Sequence, residues 1–313
     1  MSSNRRQFLT AMTAVATLPS ARRHQKSAAQ GSVMPNAGRL KQGVTRMPFG
    51  RNPTWTYWTP GGHALEDACR SVAPLGVKGF DFILPAEWPV LRKHGLVCSL
   101  YRPPPPTLPV PGGPIGPPGW EQAGTKEAMG AYLTGMHDAI DVAAAAGVPN
   151  ILLLAGAVRS STLSNEQGAD NTVDFCNAVK AHAESRGVTL CLQLLNSRGG
   201  ERQLFDHMPW GVDVVKRVNS PRVKILYDIY HAQLMDGYIV QTIRDHIQLI
   251  AHFKTGGVPG RHELNETQEL NYRFIATAIA DLNYTGFVSH DWTPSPGKDP
   301  IANLAETIRI MQV

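Results

Sequence analysis

From about residue 40 onward, short apolar runs rich in Val, Ile and Leu alternate with longer stretches whose apolar positions recur at helical spacing. The strand-like runs are Gly43–Met47, Gly79–Ile83, Leu96–Leu100, Asn150–Leu154, Thr189–Leu194, Val223–Asp228, Ile250–Lys254 and Gly286–Asp291. Between them the spacing predicts helices over Leu65–Leu75, Lys126–Ala146, Thr172–Arg186, Gly211–Val218, Tyr238–Arg244, Asn271–Leu282 and Ile301–Met311. About eight β-then-α repeats point to an α/β fold with a parallel sheet, and that count closes it into a (β/α)8 TIM barrel. Turn chemistry supports the register: Gly147-Val148-Pro149 and Gly187 end two helices, Ser164 or Asn165 offers a polar helix start, and Ser220-Pro221 breaks the chain before Val223.

One stretch does not fit a minimal barrel. Residues 102–120 read RPPPPTLPVPGGPIGPPGW, too rich in proline for a helix or a central strand. They follow the third strand, on the rim where barrels keep function, so a stiff lid over the pocket and a plain proline-stiffened surface loop both fit.

The 313 residues suit one barrel domain over 31–313 behind a short leader. A net charge of +5 would invite a nucleic-acid reading, but five of the 30 basic residues lie in residues 1–30, which hold no acid. The remaining 25 basic residues meet 25 acidic ones, so the body is formally neutral and nucleic acid is not expected as a partner. Residues 1–30 read instead as an export address: Asn4-Arg5-Arg6-Gln7-Phe8-Leu9-Thr10 is a twin-arginine pattern, followed by a short apolar run and the small residues near Pro19-Ser20-Ala21. The expected partner is then the twin-arginine export machinery, with a periplasmic or extracellular destination and no membrane span in the mature chain. A homo-oligomer is left open. Cys69, Cys98, Cys176 and Cys191 lack metal-site spacing and sit in apolar or helical segments, as buried free thiols do.

In a barrel, polar residues at the C-terminal ends of strands share one site. Here those residues are Gln193, Asp228, Lys254 and Asp291. Two carboxylates could hold a cation, yet an ammonium has three donors, no lone pair and a charge of its own, so Lys254 opposes a metal at the same place.

The segments LYDIYHAQ, GGVPGRHE, TQELNY and YTGFVSHDW, with LQLLNSR before them and AEWPVLRKHGLVC earlier, resemble the hydroxypyruvate isomerase-like branch of the xylose isomerase-like TIM barrels, which are sugar isomerase- and epimerase-like. The resemblance runs in order over most of residues 40–313. It implies a divalent metal (Mn, Mg, Co or Zn) held by a glutamate, an aspartate, a histidine or glutamine, and a glutamate, at the positions of Gln193, Asp228, Lys254 and Asp291. Only Asp228 keeps the expected type; it and Asp291 are the metal-ligand candidates. It further implies proton transfer next to a carbonyl, with Gln193 and Asp291 at the two acid/base positions and Asn196, His231, Arg261, His262 and Glu263 lining a pocket for a small sugar or keto acid; Lys254, a cation between two carboxylates, is a third catalytic candidate through charge stabilisation of a substrate carbonyl. Gln193 has no usable basicity, so one acid/base role of that scheme is missing. Trp55, Trp58 and Trp88 are candidates for apolar walls or for plain core. Three readings stand: an isomerase or epimerase with a degenerate metal site, a non-catalytic carbohydrate-binding pseudoenzyme, and a metal-independent lyase using Lys254.

Overall fold

The computed structural model describes residues 38–49, 63–104, 126–155, 163–198, 200 and 202–313. The twin-arginine leader, Trp55, Trp58 and residues 105–125 of and around the proline-rich stretch lie outside them.

Eight short strands form one parallel sheet: β1 (Lys41–Val44), β2 (Gly79–Phe80), β3 (Val97–Cys98), β4 (Asn150–Leu153), β5 (Thr189–Gln193), β6 (Val223–Asp228), β7 (Ile250–Thr255) and β8 (Phe287–His290). Their order is β3-β2-β1-β8-β7-β6-β5-β4. The two ends meet through Tyr101, whose N–H donates to Asn150 O at 2.8 Å and whose carbonyl accepts from Leu152 N at 2.7 Å. That bridge closes the sheet into the expected TIM barrel and leaves no raw edge to be covered.

The helices among the described residues are α1 (His63–Val72), α2 (Trp88–Lys93), α3 (Lys126–Ala146), α4 (Asn165–Arg186), α5 (Met208–Val218), α6 (Ile229–Met235), α7 (Ile239–His246), α8 (Tyr272–Asp281) and α9 (Pro300–Met311). Local chemistry fixes their ends. Ser164 caps α4 by accepting from Gln167 N at 3.1 Å, while the Gln167 side chain accepts from Ser164 N at 3.0 Å, a reciprocal box that starts the helix well before Thr172. Gly187, with φ of 72°, ends it.

Helices cover the outside of the barrel, so strands such as β4 and β5 are buried along their whole length. The interior below the C-terminal rim carries a buried polar layer: Asp81 accepts from Ser99 Oγ at 2.6 Å and lies 3.0 Å from His252 Nε2, which also lies 3.1 Å from Ser289 Oγ. Because side chains alternate along a strand, Lys254 projects to the same interior one layer above His252. The four cysteines are buried free thiols, as expected. Trp88 is core: its ring packs edge-on against Tyr101 at 5.3 Å and its indole N–H donates to Ile83 O at 2.8 Å, so it forms no wall of a sugar pocket.

Candidate active site

Four consecutive strands deliver the central groups. In β6 and β7, Asp228 and Lys254 are register partners, and Asp291 leaves β8 with its N–H on Thr255 O at 3.1 Å. Gln193 ends β5, and its amide reaches Asp228 Oδ2 only at 3.5 Å. All four strand-end residues are buried and converge, as the sequence predicts.

Arg261 joins them from the loop after β7. Tyr272 anchors the start of that loop, accepting from Gly256 N at 2.9 Å and donating to Gly256 O at 2.7 Å. Gly257 then pairs with His262 across a tight fold-back, and a Cβ at Gly257 would lie 2.4 Å from Glu263 O, so only glycine fits. Arg261 itself is left-handed, with φ of 57°. The bend aims its guanidinium inward: Nε donates to Asp291 O at 2.8 Å, and one terminal nitrogen donates to both Asp228 Oδ2 and Asp291 Oδ2 at 2.8 Å. The other terminal nitrogen lies 2.9 Å from His231 Nε2, and the Asn196 amide lies 2.6 Å from His231 Nδ1. The guanidinium also rests over the Tyr230 ring at 4.8 Å.

Lys254 completes the arrangement. Its ammonium is 3.1 Å from Asp291 Oδ2 and 4.1 Å from the centre of the Phe82 ring. Asp291 Oδ1 accepts from Thr45 Oγ1 at 2.8 Å. One carboxylate oxygen, Asp291 Oδ2, thus serves two side-chain cations.

These contacts set the protonation states. Burial pushes the Asp228 carboxyl up, but Arg261, His231 and Lys254 outweigh it and hold it below the usual range. Burial opposes ionisation of Asp291 as well, and Lys254 and Arg261, with Thr45, hold it far below an ordinary aspartate. Burial would lower Arg261; the two carboxylates raise it above an ordinary arginine instead. Burial pushes His231 down more strongly than Asp228 pulls it up, so this imidazole is neutral near pH 7. Two anions face two cations, and the centre is neutral by itself.

The donor set does not fit a divalent metal. A metal on Asp291 Oδ2 at an ordinary distance of about 2.2 Å would lie no more than about 5 Å from the Lys254 ammonium. At an effective dielectric of about 20, a 2+ ion and an ammonium at that separation repel by roughly 6 kcal/mol. Lys254 is only 2% exposed and sits inside the barrel, so it cannot swing away into water. Arg261 already holds the oxygens that a metal would need. Among the described residues, no group of three or more His, Cys, Asp or Glu side chains is placed to hold an ion.

The other pocket residues separate into two sets. Asn196, His231 and Arg261 converge on the carboxylates. His262 and Glu263 do not: His262 Nδ1 contacts Thr293 O at 2.8 Å, and Glu263 accepts from Ser295 N, Ser295 Oγ and Asn303 Nδ2 at 2.6–2.7 Å. Glu263 braces the loop after β8 instead of facing the ion pairs. Thr45, Phe82 and Tyr230 were not singled out by sequence. Thr45 follows β1, where the strand-end rule would find it; an isolated Phe or Tyr carries no such signal.

Residues 89–312 match the Xylose isomerase-like TIM barrel family. The chain belongs to this family. Among curated relatives, the 2-oxo-tetronate isomerase of Pectobacterium atrosepticum is 24% identical over 234 residues, covering 73% of this chain and 86% of that protein. A human protein named putative hydroxypyruvate isomerase is 31% identical over 180 residues, covering 52% of this chain and 61% of that one. Among solved structures, an AP endonuclease of family 2 from Brucella melitensis superposes with a TM-score of 0.69 at 22% identity over 85% of this chain and 98% of its own. A D-psicose 3-epimerase solved in the presence of D-fructose gives 0.66 at 18% identity over 86% and 96%. The structural likenesses show the shared fold, and the curated relatives support an isomerase-type enzyme.

Proposed function

We propose that this member of the family is an isomerase or epimerase that moves a proton next to the carbonyl of a small keto acid or sugar, with Lys254 and Arg261 supplying the positive charge a divalent ion supplies elsewhere. The observation that carries this reading is the sharing of Asp291 Oδ2 between the Lys254 ammonium and the Arg261 guanidinium. Proton removal beside a carbonyl leaves an enediolate, whose negative oxygens need fixed donors in a dry site. Lys254 and Arg261 can donate to those oxygens without reorganising bulk water.

The same contacts suggest how a base appears. At rest both carboxyls are held below an ordinary aspartate, Asp228 chiefly by Arg261 and Asp291 by Lys254 and then Arg261. A substrate carboxylate offers the guanidinium a bidentate partner of the same charge. Once Arg261 turns to it, Asp228 and Asp291 lose a cation and become more basic. Asp291 is the better placed to take the proton, with Lys254 and Thr45 fixing its geometry; Gln193 can only donate or accept a hydrogen bond. The relatives' names, hydroxypyruvate and 2-oxo-tetronate isomerases, make 2-keto acids the substrates to try first.

The test is solvent exchange. Purified protein in D2O with excess chelator is incubated with hydroxypyruvate and with 2-oxo-tetronate, and deuterium beside the carbonyl is followed by NMR. Incorporation that falls at least ~100-fold in Asp291→Asn is expected, a size typical of losing a general base. The absence of exchange with both acids and with a panel of ketoses contradicts the reading. If those compounds still bind, the pseudoenzyme reading replaces it, which the tight satisfaction of both carboxylates would then explain. The lyase reading needs the Lys254 nitrogen free to attack a carbonyl, and that nitrogen is engaged by Asp291 Oδ2 at 3.1 Å. Export through the twin-arginine route belongs to the same proposal and rests on Asn4–Thr10; a folded reporter fused behind residues 1–30 that stays in the cytoplasm contradicts it.

A further inference from the structure

Phe82 occupies a place that its own backbone disfavours. It follows β2 with φ of 64°, in the left-handed region that a bulky side chain seldom adopts. Its N–H donates to Leu100 O at 2.8 Å, which ties that conformation to the β3 end of the barrel. On either side of it, Asp81 points into the polar layer with Ser99 and His252 and Ile83 is buried in the core, while Phe82 packs against the interior residues Leu100, Leu152, Cys191 and Leu226. What the bend achieves is to present the Phe82 ring to Lys254, 4.1 Å from ring centre to ammonium. Unfavourable backbone conformations persist where the surroundings over-determine them, and they gather at functional sites.

We propose that Phe82 is the positioning residue for Lys254, its ring face holding the ammonium beside Asp291 and excluding water from it. A four-carbon stem with free rotation needs such a guide, because the ion pair to Asp291 alone leaves the head free to pivot. The ring attracts a desolvated cation without consuming a hydrogen-bond acceptor, and it cannot compete for the substrate. An ammonium carries three N–H donors. Asp291 takes one and the ring faces another, so one remains for a substrate oxygen. The proposal rests on the isomerase reading for its catalytic consequence, but the placement of Lys254 can be measured without turnover.

The experiment uses the full chain labelled with 15N-lysine. The Lys254 ammonium signal, identified by its loss in Lys254→Arg, is expected upfield of the other lysines because it lies over a ring. Phe82→Tyr keeps that shift and Phe82→Leu abolishes it. With hydroxypyruvate or 2-oxo-tetronate as substrate, kcat falls about 10-fold or more in Phe82→Leu with little change in KM and recovers in Phe82→Tyr, the pattern of a misplaced group and not of lost binding. Phe82→Gly is expected to melt above Phe82→Ala, because glycine alone is unstrained at this φ. A Lys254 signal unmoved in Phe82→Leu, or equal behaviour of the Leu and Tyr variants, overturns the proposal. If neither the two acids nor the ketoses turn over, the isomerase reading fails and the NMR comparison still decides the role of Phe82.

Discussion

Lys254→Met removes the ammonium and keeps most of the apolar stem, so it tests the ion-pair centre with little change in volume. The lost pair is 3.1 Å long, worth roughly 5 kcal/mol of attraction at an effective dielectric of about 20, and removing one partner of a buried pair typically costs about 3–5 kcal/mol. Here the cost is smaller. Asp291 keeps Arg261 and Thr45, each at 2.8 Å, so its charge remains compensated, and methionine packs well against the Phe82 ring. A loss of about 2 kcal/mol is expected, read as a lower urea midpoint with an unchanged slope. Activity is expected to suffer more, by about 10²–10³ in kcat/KM, the usual result of deleting one donor to a developing oxyanion. Lys254→Arg is not expected to rescue, because the planar fork does not fit the space of a compact ammonium. A Lys254→Met protein as stable and as active as the parent refutes the reasoning, since the buried charge would then contribute to neither folding nor catalysis.

Two further predictions concern the fold around the site. His290, on the sheet face away from the pocket, bonds to Thr255 and Gln42, and burial pushes its pKa down to about 3. The unfolded chain takes up this proton below about pH 6.5 and the folded chain does not, so stability falls as pH drops from about 6.5 to about 3, by up to roughly 4 kcal/mol from this group. The depressed carboxyls of Asp228 and Asp291 add a loss of the same sign below about pH 4; urea midpoints against pH should show both, with a flatter upper limb in His290→Gln, and a midpoint that rises on acidification contradicts this. Gly79→Ala puts a Cβ within 2.6 Å of Ser99 Cβ and 2.8 Å of Phe287 inside the barrel, so about 1–3 kcal/mol of overpacking cost is expected in the same titration, and a neutral result would mean the β2–β3 contact yields freely.

Much of the scaffold is legible because strands buried on both faces and covered by helices leave a plain pattern. β6 and α3 fall where their apolar runs begin and end, and the four strand-end groups meet as expected. Misreadings have local causes. β2 stops at Phe80, short of Ile83, because Phe82 turns left-handed, and no residue type announces that. α6 starts directly from Asp228 with no linker; its N-cap is the very carboxylate whose chemistry suggests a metal ligand. α4 begins earlier than its apolar spacing suggests, although the Ser164–Gln167 box marks its true start. At the site, the bridging of Asp228 and Asp291 by Arg261 depends on a glycine-dependent fold-back and a left-handed arginine, features of backbone geometry and not of spacing. His262 and Glu263, adjacent in sequence to that arginine, therefore point elsewhere.

The claim that two side-chain cations stand in place of a divalent ion is tested most directly by titrating Mn2+ into chelator-treated full-length protein by calorimetry, alongside Gln193→Glu/Lys254→His/Asp291→Glu. The parent is expected to show no saturable binding up to millimolar Mn2+, and the triple variant one site once Arg261 is released from the carboxylates. Stoichiometric, tight binding by the parent, with Lys254 and Arg261 intact, would contradict that claim.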